Sequence, residues 1–265
     1  MYPLINLFGR DIGTYALTSI AGYLLAGMWA CRTAQKRGHD DNDMIVALLL
    51  IAAGALIGGH ILYGALNFHL WRHFAGSILP GGSVKEFFSQ LYYLFGYLFG
   101  GSVFYGGLAG GYIAGLICIR KKRLPLAEYS DMLAPVIPLF HIFGRIGCFL
   151  GGCCYGVESR VGFIYRQALL AEANGLRRFP IQLAEAFVNL LIFLLLAALL
   201  RKNALQGRLM ALYLLIYPVM RFLLEFGRGD ALRGFVFGLS TSQFISLLLI
   251  MGVGVFWLIR ALRQR

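Results

Sequence analysis

An all-α polytopic membrane protein is what this sequence predicts, and three observations carry that prediction. Of 265 residues, 59% are hydrophobic and only 14% are charged, whereas a soluble domain is roughly half apolar and a quarter charged. Mean hydropathy is +0.72, which is more apolar surface than a water-soluble core of this length can hide. Seven apolar stretches each approach the roughly 20 residues that a bilayer crossing needs. Most soluble enzyme folds, nucleic-acid binders and disulfide-stapled secreted domains are excluded on these grounds. The net charge of +12 comes from 24 Lys and Arg against 12 Asp and Glu. In a membrane protein it predicts basic cytoplasmic loops and a site for an anionic lipid, with no nucleic-acid partner.

The stretches run over residues 12–31, 44–66, 103–119, 133–150, 181–200, 209–226 and 237–259. The first lacks a basic leader and is long enough to span, so it is expected to stay as a helix. Residues 67–102 are too long for a turn and contain VKEFFSQLYYLFGYLFG. Two readings stay open there: an aromatic helix lying along the interface, and a re-entrant loop. The third stretch carries GGSVFYGGLAGGYIAG, whose small residues four apart predict close helix packing in lipid. Tyr105 stands apart from that pattern, as a phenol at the outer mouth able to donate a hydrogen bond or act as a base. Pro135 and Pro138 open the fourth stretch, and Arg145 lies inside it. Residues 151–180 are polar and are expected to form a small cap outside the membrane.

Orientation follows from the basic residues. The loops after the first, third and fifth stretches, with the tail, hold thirteen, among them Arg120, Lys121, Lys122 and Arg123 in one short loop. The opposite side holds nine. The N-terminus is therefore expected outside and the C-terminus in the cytoplasm. No internal repeat is evident, so residues 1–265 are read as one integral membrane domain with extracytoplasmic segments at 67–102 and 151–180.

An ionisable group at membrane depth costs roughly 2.5–3.5 kcal/mol on insertion scales, so each one needs a partner or a wet cavity. Four stand out: Arg145, Glu185, Arg221 and Glu225. Arg221 and Glu225 are four apart and share a helix face. A local ion pair would explain those two, but Tyr217 extends the stripe a further turn. Around Arg145 the chain reads HIFGRIGCFLGGCCYG, and Gly144, Gly147, Gly151, Gly152 and Gly156 weaken any helix there. Broken backbone beside a buried Arg predicts a pocket for an anionic headgroup, since the guanidinium fork suits phosphate. Cys31 and Cys118 read as inert apolar groups. Cys148, Cys153 and Cys154 lie near Arg145 without a matched His, so no metal site is expected. A disulfide within the trio and a reactive thiolate both remain open. His69 and His73 are expected at the interface. No cofactor is predicted.

At these residues the pattern resembles the prolipoprotein diacylglyceryl transferase family, whose signature has the form GRxGNFxNxExxG. The matching stretch, Gly144 to Gly156, is GRIGCFLGGCCYG. IGTYAL carries Tyr15, similar to a family tyrosine in the first span. FYGGLAG is similar to the family's FHGGLxG. FPIQLAEA resembles P-x-QLYEA and places Gln182 and Glu185. YPVMRFLLEFGR resembles Y-x3-R-x3-E-F-x-R and places Tyr217, Arg221, Glu225 and Arg228. GLSTSQFISL resembles the element that opens the family's last span. The likeness covers nearly the whole chain.

The resemblance implies a multi-pass transferase of the bacterial plasma membrane. It would move diacylglyceryl from phosphatidylglycerol to the lipobox cysteine thiol of a preprolipoprotein and release glycerol phosphate. Arg145 and Arg221, with Tyr105, are then the expected catalytic residues. Tyr15, Gly144, Cys148, Cys153, Gly156, Gln182, Glu185, Tyr217, Glu225 and Arg228 are expected to line the substrate site. This chain departs from the family at several places. The histidine of FHGG is Tyr105, the signature Asn positions are Cys148 and Gly151, its Glu is Cys153, and the Tyr of QLYEA is Ala184. A phenol with a pKa near ~10 is a poor base at neutral pH. The departures leave two other readings: a paralogous transferase acting on another lipid or acceptor, and a lipid-binding or transport protein without catalysis.

Overall fold

The computed structural model describes residues 1–7, 9–67, 84–99, 101, 103–230 and 234–263. The chain is mostly helical, with three short antiparallel hairpins among the described residues. Among those residues four helical stretches are long and apolar enough to cross a membrane: Asp41–Leu66, Leu126–Gly151, Ile181–Arg201 and Leu209–Gly227. Thr241–Val255 is a shorter apolar helix. Helices also cover the first and third predicted stretches, as Thr14–Lys36 and Phe104–Lys121. Large side chains such as Phe187, Leu191, Leu194 and Leu195 stay exposed along one helix. Apolar faces of that extent need lipid, not water, against them. The chain is a membrane protein.

Two compact units divide it, Met1–Thr33 with Ala127–Arg265, and Ala34–Leu126. The first unit opens with a hairpin, β1 (Leu4–Leu7) and β2 (Arg10–Gly13), in which Asn6 faces Asp11. Helix α1 (Thr14–Lys36) follows directly and ends in the second unit.

The second unit is built around α2 (Asp41–Leu66) and α4 (Phe104–Lys121), with α3 (Val84–Phe99) beside α2. Asp40 caps α2, its side chain accepting from the Asn42 amide at 2.8 Å. The glycines predicted to let helices approach do so. A Cβ on Gly58 would run into the Gly106 carbonyl, and one on Gly110 into the carbonyl of Gly54. Backbone touches backbone here, so the packing reading of that run holds for these glycines. His60 Nδ1 lies 2.8 Å from the Gly101 carbonyl oxygen. Residues 84–99 are helical, as the interfacial reading of that stretch requires. His69 and His73 lie outside the described residues.

The rest of the first unit runs α5 (Leu126–Leu133), α6 (Val136–Gly151), β3 (Glu158–Ile164), β4 (Arg177–Arg178), α7 (Ile181–Arg201), α8 (Leu209–Leu224), β5 (Phe235–Val236), β6 (Leu239–Ser240) and α9 (Thr241–Arg263). A break before Val136, at Ala134 and Pro135, separates α5 from α6, as a proline-opened helix requires. Asp131 of α5 is buried, and its carboxylate accepts the amides of Gly207 and Leu209, the latter at 2.9 Å, which starts α8. α7 packs against both α6 and α8, and α8 against α9. Ser240 and Gln243 form a reciprocal cap on α9, at 3.0 and 3.2 Å. Between α6 and α7 a small core of Tyr155, Tyr165 and Ala173 closes under the β3–β4 hairpin.

Candidate functional site

The site begins with the polar stripe of α7. Gln182, Glu185 and Asn189 recur three and four apart and are all buried, which places them on one helix face. Glu185 is the hub of a cluster drawn from three helices. Its Oε1 lies 3.0 Å from Arg145 Nη2 of α6 and accepts the Tyr217 hydroxyl of α8 at 3.4 Å. Its Oε2 lies 3.7 Å from Arg221 Nη1. Arg221 Nη2 reaches Glu225 Oε2 at 2.7 Å and donates to Ser242 Oγ of α9 at 3.1 Å. Tyr213 stacks on Tyr217 with ring centroids 5.5 Å apart, and the His141 ring is tilted against Tyr217 at 5.4 Å.

Two guanidinium groups and two carboxylates balance in charge, as desolvated ions must. Their hydrogen bonds do not balance. Arg221 Nη1 is buried without a hydrogen-bond partner among the described residues, with Glu185 Oε2 standing off at 3.7 Å. The Arg221 side chain is only 8% exposed, whereas that of Arg145 is 21% exposed. A buried donor left without an acceptor is uncommon and calls for an explanation. An anion that takes up this donor supplies one. Gly144, just before Arg145, has open space where a Cβ would project.

One turn beyond Arg145, α6 ends in a Schellman motif. The Gly152 amide donates to the Phe149 carbonyl at 3.2 Å, and the Cys153 amide donates to that of Cys148 at 3.1 Å. Gly152 takes a left-handed φ of 72°, which glycine adopts without penalty. The motif folds Cys153 and Cys154 back over Cys148, and the three sulfurs all lie within 4.8 Å of one another. Hydrogen bonds with Cys148 and then Cys153 hold the Cys154 thiol well below its ordinary value, with Arg228 and Arg145 acting in the same direction. Gln182 ties this end to α7: its Nε2 donates to the Cys153 carbonyl at 2.7 Å and its Oε1 accepts from Tyr165 at 3.2 Å.

The structure brings Arg145, Glu185, Arg221, Glu225 and Tyr217 together. Cys148, Cys153 and Gln182 form the adjoining group. Arg228 makes a two-pronged pair with Asp230, at 2.9 and 2.6 Å, and its backbone bridges to Gly156. Gly156 has a packing reason to be glycine, since a Cβ there would strike the Phe179 carbonyl. Tyr15 lies in the first turn of α1, half exposed, with its backbone against Gly147. Tyr105 belongs to the second unit, half-buried in the first turn of α4.

Sequence reasoning missed His141, Asn189, Ser242 and Asp230. The first two were legible in principle, because His141 precedes Arg145 by four residues and Asn189 follows Glu185 by four. Ser242 joins through a fold-level crossing of α8 and α9 that no local spacing announces.

A family model for prolipoprotein diacylglyceryl transferase matches residues 3–259 of the chain. A phosphatidylglycerol–prolipoprotein diacylglyceryl transferase 2 of Clostridium perfringens is 32% identical over 262 residues, covering 98% of this chain and 95% of that protein. The phosphatidylglycerol–prolipoprotein diacylglyceryl transferase of Clostridium tetani is 32% identical over 264 residues, with 98% of each chain covered. That of Idiomarina loihiensis is 32% identical over 267 residues, covering 98% and 93%.

Proposed function

The chain belongs to the prolipoprotein diacylglyceryl transferase family, and from that premise we propose how its buried charges perform the transfer. It is a membrane transferase that moves diacylglyceryl from phosphatidylglycerol to a prolipoprotein. The acceptor atom is the thiol sulfur of a lipobox cysteine in the signal segment.

The observation that supports the site assignment is Arg221, a buried guanidinium whose Nη1 has no hydrogen-bond acceptor among the described residues and which is joined through Glu185 to Arg145. The lipid phosphate binds between Arg145 and Arg221. Glu225 and Ser242 fix the second nitrogen of Arg221, so Nη1, paired with Glu185 at 3.7 Å but without a hydrogen bond, is held in place before the lipid arrives. The thiolate attacks the glyceryl carbon, and the carbon–oxygen bond breaks with its electrons going to the phosphate. The phosphate gains charge as glycerol phosphate departs, and two fixed guanidinium groups stabilise that charge where it develops. Tyr217 holds Glu185 in place. Tyr15, Gly144, Cys148, Cys153, Gly156, Gln182 and Arg228 complete the lining of the substrate site. Tyr105, at the family-histidine position, acts in the reaction as a hydrogen-bond donor and not as a base.

Seven spans, an outside N-terminus and a cytoplasmic C-terminus are the arrangement we assign, in the bacterial plasma membrane. Residues 151–180 then lie outside the cytoplasm and Arg120 to Arg123 inside. Labelling from one side of the membrane tests this: both segments reacting from the same face would overturn it.

The activity test uses purified protein, phosphatidylglycerol and a lipobox peptide. The expected result is release of glycerol phosphate with a matching diacylglyceryl mass gain on the peptide cysteine. Lipid turnover onto a different acceptor, with the lipobox peptide untouched, would favour a paralogous transferase. Phosphatidylglycerol binding without any turnover would reduce the protein to a lipid binder.

A further inference from the structure

The arginine cluster accounts for the leaving group but not for the nucleophile. An acceptor thiol must lose its proton, and the family histidine position holds Tyr105, a weak base at neutral pH. The cysteine trio, next along the chain from Arg145, supplies chemistry that meets that deficit. Cys148 follows Arg145 by three residues on the same helix, so its sulfur is one turn from the guanidinium. Cys153 and Cys154 are returned to it by the turn at Gly152. Cys154 itself is held at a φ of 52°, a left-handed conformation that costs a non-glycine residue about 1–2 kcal/mol.

We propose that Cys148, Cys153 and Cys154 form a zinc site with one open coordination position, and that this position takes the acceptor cysteine as its thiolate. The second half of the proposal rests on the transferase reading above. A zinc–sulfur bond of about 2.3 Å places ligand sulfurs about 4 Å apart. The three sulfurs already lie within 4.8 Å of one another, so a small side-chain adjustment closes the site. A disulfide would join two sulfurs and leave the third without a role; mutual convergence of all three is what one shared ion requires. Sulfur-only donors select a thiophilic cation over magnesium or calcium. Three thiolates around Zn²⁺ carry one net negative charge, and Arg145 lies three residues before Cys148 on the same helix to offset it. Three protein ligands with a vacant fourth position is the pattern of catalytic rather than structural zinc.

The chemistry balances. The acceptor thiol coordinates the ion and releases its proton to water, because a coordinating thiol is deprotonated outright. Its sulfur lone pair forms the bond to the glyceryl carbon. The carbon–oxygen electrons leave on the phosphate, which Arg145 and Arg221 hold. The thioether product is a poorer zinc ligand than a thiolate, so it vacates the open position.

The test uses the full-length protein, reduced and stripped with chelator, and titrates it with Co²⁺ alone as the optical reporter for zinc. One Co²⁺ per chain should bind, with thiolate charge-transfer absorption and the strong visible bands of a tetrahedral ion, and Zn²⁺ should displace it. Losing a group that only hydrogen-bonds a metal ligand weakens metal sites about 10–100-fold, so Cys148→Ser, Cys153→Ser and Cys154→Ser should each weaken binding by at least that much. Failure of wild type to bind one equivalent, a spectrum that survives all three substitutions, or a disulfide within the trio of freshly purified protein would each overturn the site. Because wild type alone decides the first point, instability of a variant cannot rescue the idea.

A lipobox peptide should then shift the visible bands, and the same peptide with Ser in place of Cys should not. No shift, or full transfer rate in metal-free protein, removes the acceptor role while leaving the transferase reading intact. Stoichiometric cysteine-dependent metal binding without diacylglyceryl transfer to any lipobox peptide sinks that transferase reading and leaves the metal site.

Discussion

Two buried arginines of the first unit, Arg178 and Arg221, solve the same desolvation problem in opposite ways. Arg178 in the segment between α6 and α7 is fully answered by the protein. Its Nε, Nη1 and Nη2 donate to the carbonyls of Ala173, Gly156 and Glu172 at 3.4, 3.3 and 3.0 Å. Its guanidinium also lies 4.3 Å over the Tyr155 ring. Arg221 is equally buried, yet one of its nitrogens has no hydrogen-bond acceptor among the described residues. The first arrangement is complete without a ligand and holds a loop in shape. The second is incomplete until an anion arrives. Burial of a charge therefore says little about function until its donors have been followed to their acceptors.

Conservative substitution should separate the two most sharply. Lysine keeps the charge and loses the fork. Removing one preorganised donor from a site of developing charge costs about 10²–10³ in rate. Arg221→Lys and Arg145→Lys should accordingly lower diacylglyceryl transfer by that order while the protein stays folded. Arg178→Lys should instead lower stability by about 3 kcal/mol, the order expected when several buried hydrogen bonds to a charged group are lost. Its turnover per folded molecule should not change. Thermal unfolding in detergent alongside the peptide assay reads both. If the Arg221 variant keeps its rate, or the Arg178 variant loses it without losing stability, the contrast is wrong.

Glu185 sharpens the comparison next. As the carboxylate between Arg145 and Arg221, it is the internal stand-in for part of the missing anion. Glu185→Gln keeps the shape and leaves two buried guanidinium groups with one carboxylate. Breaking a buried pair costs about 3–5 kcal/mol. The variant should unfold more easily, and added phosphatidylglycerol should restore a larger share of stability to it than to wild type. Equal stabilisation of both proteins would mean that the lipid phosphate does not enter this cluster.

The four charges at membrane depth were legible in the sequence because an apolar background makes every ion conspicuous. Their pairing through Glu185 was not legible, since it depends on three helices meeting at one level. The glycine run of α4 was read correctly as packing from its spacing. The cysteine trio was singled out beside Arg145 from the sequence, but the convergence of its three sulfurs was not legible, for a physical reason. Cys148 sits on a helix, Cys153 and Cys154 follow its end, and only the Gly152 turn makes them neighbours. Sequence distance could not reveal that reversal. Equally, Arg178 appeared as one more basic residue in a polar segment, although Tyr155 and three carbonyls enclose it.

Tyr105 extends the same test to the second unit, with a smaller expected effect. In the hydrogen-bonding role proposed for it, a phenol is worth less than a guanidinium. Net hydrogen bonds contribute about 0.5–1.5 kcal/mol, and those to charged groups about 1.5–3, so Tyr105→Phe should slow transfer by roughly tenfold to a hundredfold. Tyr105→His should keep or raise activity on a lipobox peptide. If Phe behaves like wild type, Tyr105 is a packing residue and leaves the site.

Gly144 gives the smallest effect and the closest view of the ligand. A methyl group there would meet nothing among the described residues within 4 Å, and alanine is favoured over glycine inside a helix by about 1 kcal/mol. Gly144→Ala should therefore stabilise the lipid-free protein slightly. Gly147, one turn along α6, is the internal control. A Cβ at that position would collide with Thr18 and press on Tyr15, so Gly147→Ala should destabilise. If the lipid phosphate approaches the backbone beside Arg145, the methyl of Gly144→Ala will occupy part of its space, and the KM for phosphatidylglycerol should rise several-fold while stability does not fall. An unchanged KM would place the lipid away from this turn, leaving Arg221 and its unpartnered nitrogen as the nearer half of the anion site.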